Sequence, residues 1–230
     1  LASVASGMVA MGKIPFIASY AIFSPGRNWE MIRTTICYNN TNVKIVGAHA
    51  GLNVGPDGGS HQMLEDIALM RVLPNMTVVV PSDALEAKKA TLAMAELIGP
   101  AYLRLAREKS PIVTTDESAF KIGQAEVLIE SDQSEVAIIA CGLMVYRALM
   151  AARKLEREGI KVSVINNHTI KPLDEKTILE AARQTGAVVT GEEHQMAGGL
   201  GSAISEFLEK NNPVPIEFIG VADRFGQSGE

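Results

Sequence analysis

Short runs of β-branched and aliphatic residues alternate with longer stretches of helical period along this 230-residue chain, and that alternation limits its fold more than any single motif. Residues 14–20, 43–47, 77–81 and 101–105 read as strands, with helices over 28–38, 61–72 and 83–98 between them. A second series comes after them, with strands over 136–140, 162–165, 187–190 and 216–219 and helices over 143–158, 174–185 and 200–210. Strands of almost wholly apolar residues must be covered on both faces, which is the condition of a parallel sheet joined by helical crossovers. Gly159, Gly186 and Pro213 stand where these later helices should stop, and Gly99-Pro100 ends an earlier one that Asp83 caps. The fold class is therefore α/β: two consecutive open, mainly parallel-sheet domains over 1–108 and 135–230, connected by the polar stretch 109–134.

Hydrophobic residues make up 47% of the chain, enough to build such cores and to exclude intrinsic disorder. Twenty-one Lys and Arg against 26 Asp and Glu leave a net charge of −5 with no basic cluster, which argues against a nucleic-acid partner. No apolar run reaches the roughly 20 residues that span a bilayer, so no membrane association is expected. Cys37 and Cys141 are far apart in sequence, with no CxxC, and read as buried apolar side chains of a protein from a reducing, cytoplasmic compartment. Leu1 falls inside a helical pattern and residues 225–230 are turn-rich. The sequence accordingly reads as part of a longer chain whose last helix is missing, with no signal peptide.

Chemistry concentrates after the second apolar run. The stretch 48–60 carries glycines at 51, 55, 58 and 59 together with His49 and Asp57, and His61 follows it directly. Glycines beyond the carboxyl end of a buried strand let a ligand approach the main chain, so His49 and His61 become hydrogen-bonding or proton-transfer groups and Asp57 an acceptor for a substrate hydroxyl. A plain surface turn would account for the spacing equally well. Tyr20 and Phe23 come after the first strand, where aromatic rings are more often core than ligand platform. Arg107 comes after the fourth, where a guanidinium clamps a phosphate or forms an ordinary surface ion pair. The sequence 198–203 imitates a dinucleotide fingerprint but lies on the third strand of its unit, and tight helix packing explains it better. His168 and His194 read as core or interface histidines. HExxH, P-loop and GxSxG motifs are absent from the sequence.

The run 46–62, with Glu65-Asp66-Ile67-Ala68 and Arg71-Val72-Leu73-Pro74-Asn75-Met76 after it, closely resembles the pyrimidine-binding domain of transketolase. His168 to Asp174, Glu192-Glu193-His194 and 198–203 resemble the same family, above all the split form whose C-terminal half is a separate polypeptide. The resemblance implies a thiamine-diphosphate enzyme of the pentose phosphate pathway that moves a two-carbon ketol unit between sugar phosphates. It implies that Tyr20 and Phe23 pack on the cofactor's aminopyrimidine, that His61 and Asp57 meet the donor's carbonyl and hydroxyls, and that His49 and Arg107 serve its phosphate end. It also implies an N-terminal subunit as partner, in a homodimer or heterotetramer, which would hold the diphosphate and Mg2+, because the GDG…NN pattern for that half is missing here.

Two departures accompany the resemblance. The glutamate that activates the cofactor in relatives aligns just before Leu1, so this stretch by itself is expected to be inactive. Gly26 stands where relatives carry an aromatic or basic residue, with Arg27 as a substitute. Deoxyxylulose-phosphate synthase and the 2-oxo-acid dehydrogenase β subunit share part of the pattern. A non-catalytic dimerising paralogue is the remaining alternative.

Overall fold

A computed structural model describes residues 1–131 and 133–229; Asp132, within the stretch read as the polar connection, and Glu230, the last of the residues read as turn-rich, lie outside the described residues. Helix α1 (Ala2–Ala10) leads into β1 (Phe16–Tyr20), and α2 (Trp29–Met31), prolonged as a π-helical turn over Ile32–Cys37, crosses to β2 (Lys44–Ala48). A 3₁₀ turn over Gly55–Ser60 and α3 (Asp66–Arg71) lead to β3 (Thr77–Val79), and α4 (Ala84–Glu96) leads to β4 (Ala101–Arg104). The second half contributes β5 (Glu126–Ile129), β6 (Val136–Ala140), α5 (Met144–Arg157), β7 (Val162–Asn166), β8 (Thr169–Lys171), α6 (Glu175–Thr185), β9 (Val188–Gln195), α7 (Leu200–Asn211) and β10 (Ile216–Val221). The result is two open sheets with orders β1-β2-β4-β3-β8 and β10-β9-β6-β7-β5, each parallel except at one edge. The α/β class expected from the apolar runs is the class found.

Both antiparallel edges depart from the sequence reading. Strand β8 comes from the second half yet pairs with β3, Val78 facing Lys171, so it closes the first sheet rather than its own. It is three residues long and ends in a lysine, too little to declare a strand. Strand β5 lies inside the stretch 109–134 and pairs antiparallel with β7. Elsewhere the boundaries move for local reasons. The strand expected to reach Pro81 stops at Val79, because the Val80 N–H turns to the His168 carbonyl at 2.7 Å. The helix expected from His61 starts only at Asp66, because Met63 bridges to Ala50 and the Leu64 N–H is taken by the Glu65 carboxylate at 2.9 Å. The strand expected over 187–190 continues to Gln195, which places Glu192, Glu193 and His194 within β9.

The helices form through spacing and capping. In α5 the buried residues Val145, Ala148 and Ala152 form one stripe, and Lys154 and Arg157 fall in the last turn, where cations complement the helix dipole. Asp83 caps α4 by accepting from the Glu86 N–H at 2.9 Å, and Asp174 caps α6 through the Thr177 N–H at 3.1 Å. A single apolar cluster runs from Ile17, Ile45 and Met70 through Tyr102 to Ile139, Ile165 and Ile204, so the two sheets share a core. Cys37 and Cys141 are buried free thiols, and burial pushes Cys37 up to about 11. No helix among the described residues is long and apolar enough to cross a membrane.

Candidate functional site

Strands β1, β2 and β4 are neighbours, and their carboxyl ends deliver Tyr20, His49 and Arg107 to one edge of the sheet. The register that pairs Tyr20 with Ala48 sets the tyrosine beside the next residue, His49, and the two rings stack with centroids 3.8 Å apart and planes at 11°. His49 turns the chain out of the sheet with φ of 57°, a left-handed conformation that is uncommon for a non-glycine residue. Its Nδ1 is buried without a hydrogen-bond partner, a state that costs on the order of 1–3 kcal/mol unless a ligand answers it.

The glycine loop then returns His61 to the same place. His61 sits edge-on to Phe23, centroids 5.8 Å apart at 90°, and 6.3 Å from Tyr20. Its Nδ1 is engaged by Ser60 Oγ at 3.0 Å, which leaves Nε2 for a further partner. Phe23 is 38% exposed, and the Arg27 guanidinium lies 5.3 Å from its ring centroid. Two aromatic rings and two imidazoles therefore converge, with the Phe23 ring still open to solvent and the buried Nδ1 of His49 unanswered. That set fits a flat heteroaromatic ligand with polar substituents.

Arg107 and Asp57 meet each other first. Arg107 lies 3.6 Å from the Asp57 carboxylate and 3.8 Å from that of Glu108, and donates to the Val54 carbonyl. An anion arriving at Arg107 exchanges with these partners instead of finding a free guanidinium. A cleft of about 460 Å³ opens past Arg104 and Arg107 toward Asp83, Gly142 and Glu193, while Tyr20, Phe23, His49 and His61 stand outside it.

The residues that hold this site in place were not singled out by sequence. Asp66, fully buried, accepts from Tyr102 Oη at 2.7 Å and from Arg104 Nε at 2.8 Å. Arg104 also donates through Nη2 to the carbonyls of Met63 and Glu193, at 3.3 and 2.8 Å, so one guanidinium ties the chain after His61 to the second sheet. A charged residue in a fully buried strand was the available signal, since such a charge requires a partner. Burial is the largest single influence on Arg104 and opposes its charge, but Asp66, joined by Tyr102 and Glu193, outweighs it and holds the guanidinium protonated.

Strand β9 supplies three further anchors. The His194 Nδ1–H donates to the Gln195 carbonyl at 2.6 Å and Nε2 accepts from the Ala68 N–H at 3.3 Å, so the ring is neutral, in accord with burial pushing its pKa down. Glu193 lies against the backbone N–H groups of Asn53 and Leu52. Glu192 accepts from the N–H groups of Leu200 at 2.7 Å and Gly201 at 2.9 Å, and burial pushes it up to about 7. A Cβ at position 199 would lie 1.9 Å from its Oε2, so the glycine-rich start of α7 encloses the protein's own carboxylate where a dinucleotide site would hold a phosphate. His168 is buried against Phe120, ring centroids 4.3 Å apart, and burial pushes it down to about 4. Among the described residues no three acidic, histidine or cysteine side chains gather as metal ligands.

Known proteins share this sequence and architecture. Residues 1–112 match the family model described as "Transketolase, pyrimidine binding domain" and residues 123–230 that described as "Transketolase, C-terminal domain". The 6-deoxy-6-sulfo-D-fructose transketolase subunit of Clostridium sp. strain MSTE9 is 41% identical, over 98% of this chain and 70% of its own length. Human transketolase is 34% identical over all of this chain, which spans 37% of the human protein. The solved structure described as a split gene transketolase, inactive beta4 tetramer, superposes with a TM-score of 0.91 at 47% identity, over 97% of this chain and 72% of that one.

Proposed function

The chain belongs to the transketolase family, and from that premise we propose that it is the C-terminal subunit of a split, thiamine-diphosphate-dependent enzyme that transfers a two-carbon ketol unit between sugar phosphates. The observation that carries the reading is the convergence of Tyr20, Phe23, His49 and His61 at the carboxyl ends of adjacent strands, with a buried His49 Nδ1 left unanswered.

The residues fit one half of the cofactor. Phe23 offers its exposed ring, and the Tyr20–His49 stack a rigid wall, to the aminopyrimidine. The diphosphate and its Mg2+ need anchoring groups beyond this cluster of rings, and we assign them to a partner chain bearing the diphosphate domain. Bound thiamine diphosphate supplies the electron sink for breaking and forming the carbon–carbon bond. His61, steadied by Ser60, presents Nε2 to the donor oxygen on which charge develops, where a preorganised donor acts most strongly. Asp57 accepts from a donor hydroxyl. Arg107, with His49 beside the loop, takes the phosphate end by exchanging its contact with Asp57, and that exchange frees Asp57 when substrate arrives.

The test combines the full-length chain with a diphosphate-domain subunit, thiamine diphosphate and Mg2+, and assays xylulose 5-phosphate with ribose 5-phosphate. Ketol transfer is expected, reduced at least a hundredfold by His61→Ala. No transfer in that assay refutes the reading, and turnover of pyruvate with glyceraldehyde 3-phosphate in its place would assign the site to the related synthase.

A further inference from the structure

Residues 221–228, from the end of β10 onward, lie across the loop that bears Asp57 and His61. At the end of β10 the Val221 carbonyl accepts from the Met196 N–H at 2.9 Å, and beyond it the Arg224 carbonyl accepts from Gln195 Nε2 at 2.9 Å, which pins this segment to the end of β9. The next residues reach the glycine loop. Gln62, buried and directly after His61, donates through Nε2 to the carbonyls of Leu52 at 2.9 Å and Gln227 at 3.3 Å, while its Oε1 is buried without a partner. A Cβ on Gly226 would stand 1.9 Å from that Oε1, and a Cβ on Gly58 2.1 Å from Ser228 Oγ. Gly58 is itself at φ 68° and ψ −165°, a backbone state essentially restricted to glycine. Loop and tail thus meet at two places where a methyl group on the glycine would displace the facing side chain, Gln62 in one case and Ser228 in the other.

We infer that residues 226–228 are a positioning element for the substrate loop, through which the second domain holds Asp57 and His61 in register with the reacting atoms. The inference rests on the proposed site assignment and adds to it residues that touch neither cofactor nor substrate. Tyr20 ends β1 and Phe23 stands three residues beyond it, both outside the interlock, so a disturbed tail should alter handling of the sugar and leave cofactor binding intact. Position is what the loop contributes, and displacements of about an ångström at a reacting group can lower rates a hundredfold.

The experiment uses the reconstituted enzyme and four variants, measuring kcat, KM for xylulose 5-phosphate, the Kd of thiamine diphosphate and the melting temperature. Gly226→Ala forces the Gln62 carboxamide aside, and kcat/KM is expected to fall at least tenfold with the cofactor Kd unchanged within twofold. Gln62→Asn shortens the opposing side chain, so the double variant Gln62→Asn/Gly226→Ala should return to within threefold of Gln62→Asn alone. Should Gly226→Ala not fold, Ser228→Gly removes the contact with Gly58 without adding volume, and a fivefold loss of kcat/KM at unchanged melting temperature is expected. Native kinetics in Gly226→Ala or in Ser228→Gly, or a loss that the double variant leaves undiminished, overturns the inference. His61→Ala, run beside them, separates the two failures: if it retains full turnover the site assignment falls, and if it alone is inactive only the positioning role falls.

Discussion

Replacing Arg104 by methionine tests the anchoring of the site most directly. The side chain is 6% exposed and its Nε is 2.8 Å from the carboxylate of Asp66, which is fully buried. Methionine keeps most of the volume and removes the charge, leaving Asp66 with the Tyr102 hydroxyl as its remaining hydrogen-bond donor. Breaking one partner from a buried ion pair costs about 3–5 kcal/mol, because the survivor stays desolvated. With a urea m-value of about 3 kcal/mol/M for a chain of this size, the midpoint should fall by about 1–1.7 M with the slope unchanged. The triple variant Asp66→Leu/Tyr102→Phe/Arg104→Met removes the stranded groups together. It should lie only about 2 kcal/mol below the native protein, the residue being the Met63 and Glu193 carbonyls that lose their donor. Urea titration monitored by circular dichroism decides the matter. A loss below about 1 kcal/mol in Arg104→Met, or a triple variant less stable than the single one, would refute the reasoning.

Other sites give three shorter predictions. Glu192 titrates near 7 in the folded chain against an ordinary value of 4.5, so the native state binds the extra proton and stability should fall by up to about 3 kcal/mol as pH rises from 4.5 to 7; Glu192→Gln should flatten that slope in urea titrations run across the window. Asp83→Ala removes the cap of α4 and the acceptor for the Val113 and Thr114 N–H groups, and should lower unfolding free energy by about 2–4 kcal/mol, with an effect under 1 kcal/mol counting against that bonding. Tyr20→Ala removes the ring that His49 stacks on and should weaken thiamine diphosphate binding to the reconstituted enzyme about tenfold by fluorescence titration, whereas an unchanged Kd would remove Tyr20 from the pyrimidine wall.

The parallel strands were legible because burial on both faces leaves almost no polar residue in them, as in 136–140. The edge strands were not, because an edge needs only a few bonds: β8 is Thr-Ile-Lys, and Glu126 and Glu130 frame β5 like any polar segment. Tyr20, His49 and Arg107 could each be placed at a strand's carboxyl end from local sequence, but their adjacency depends on β4 lying between β2 and β3, which no local pattern encodes. Nor does periodicity show that Arg107 spends its charge on Asp57, or that Glu192 fills the start of α7. Those are pairings between residues distant in sequence, fixed only when both sheets have packed.

Strand β8 has a consequence for synthesis. The residue that faces Val78 is Lys171, far along the chain, so β3 leaves the ribosome with its outer edge bare and stays so while the second half is made. A row of unpaired amides on a young chain is a template for the wrong strand, including the same strand of a neighbouring copy on one polysome. Cutting the chain between the halves would recreate that condition permanently. A first half exchanged into a relative should therefore be transferred together with the segment 169–171 that shuts its sheet.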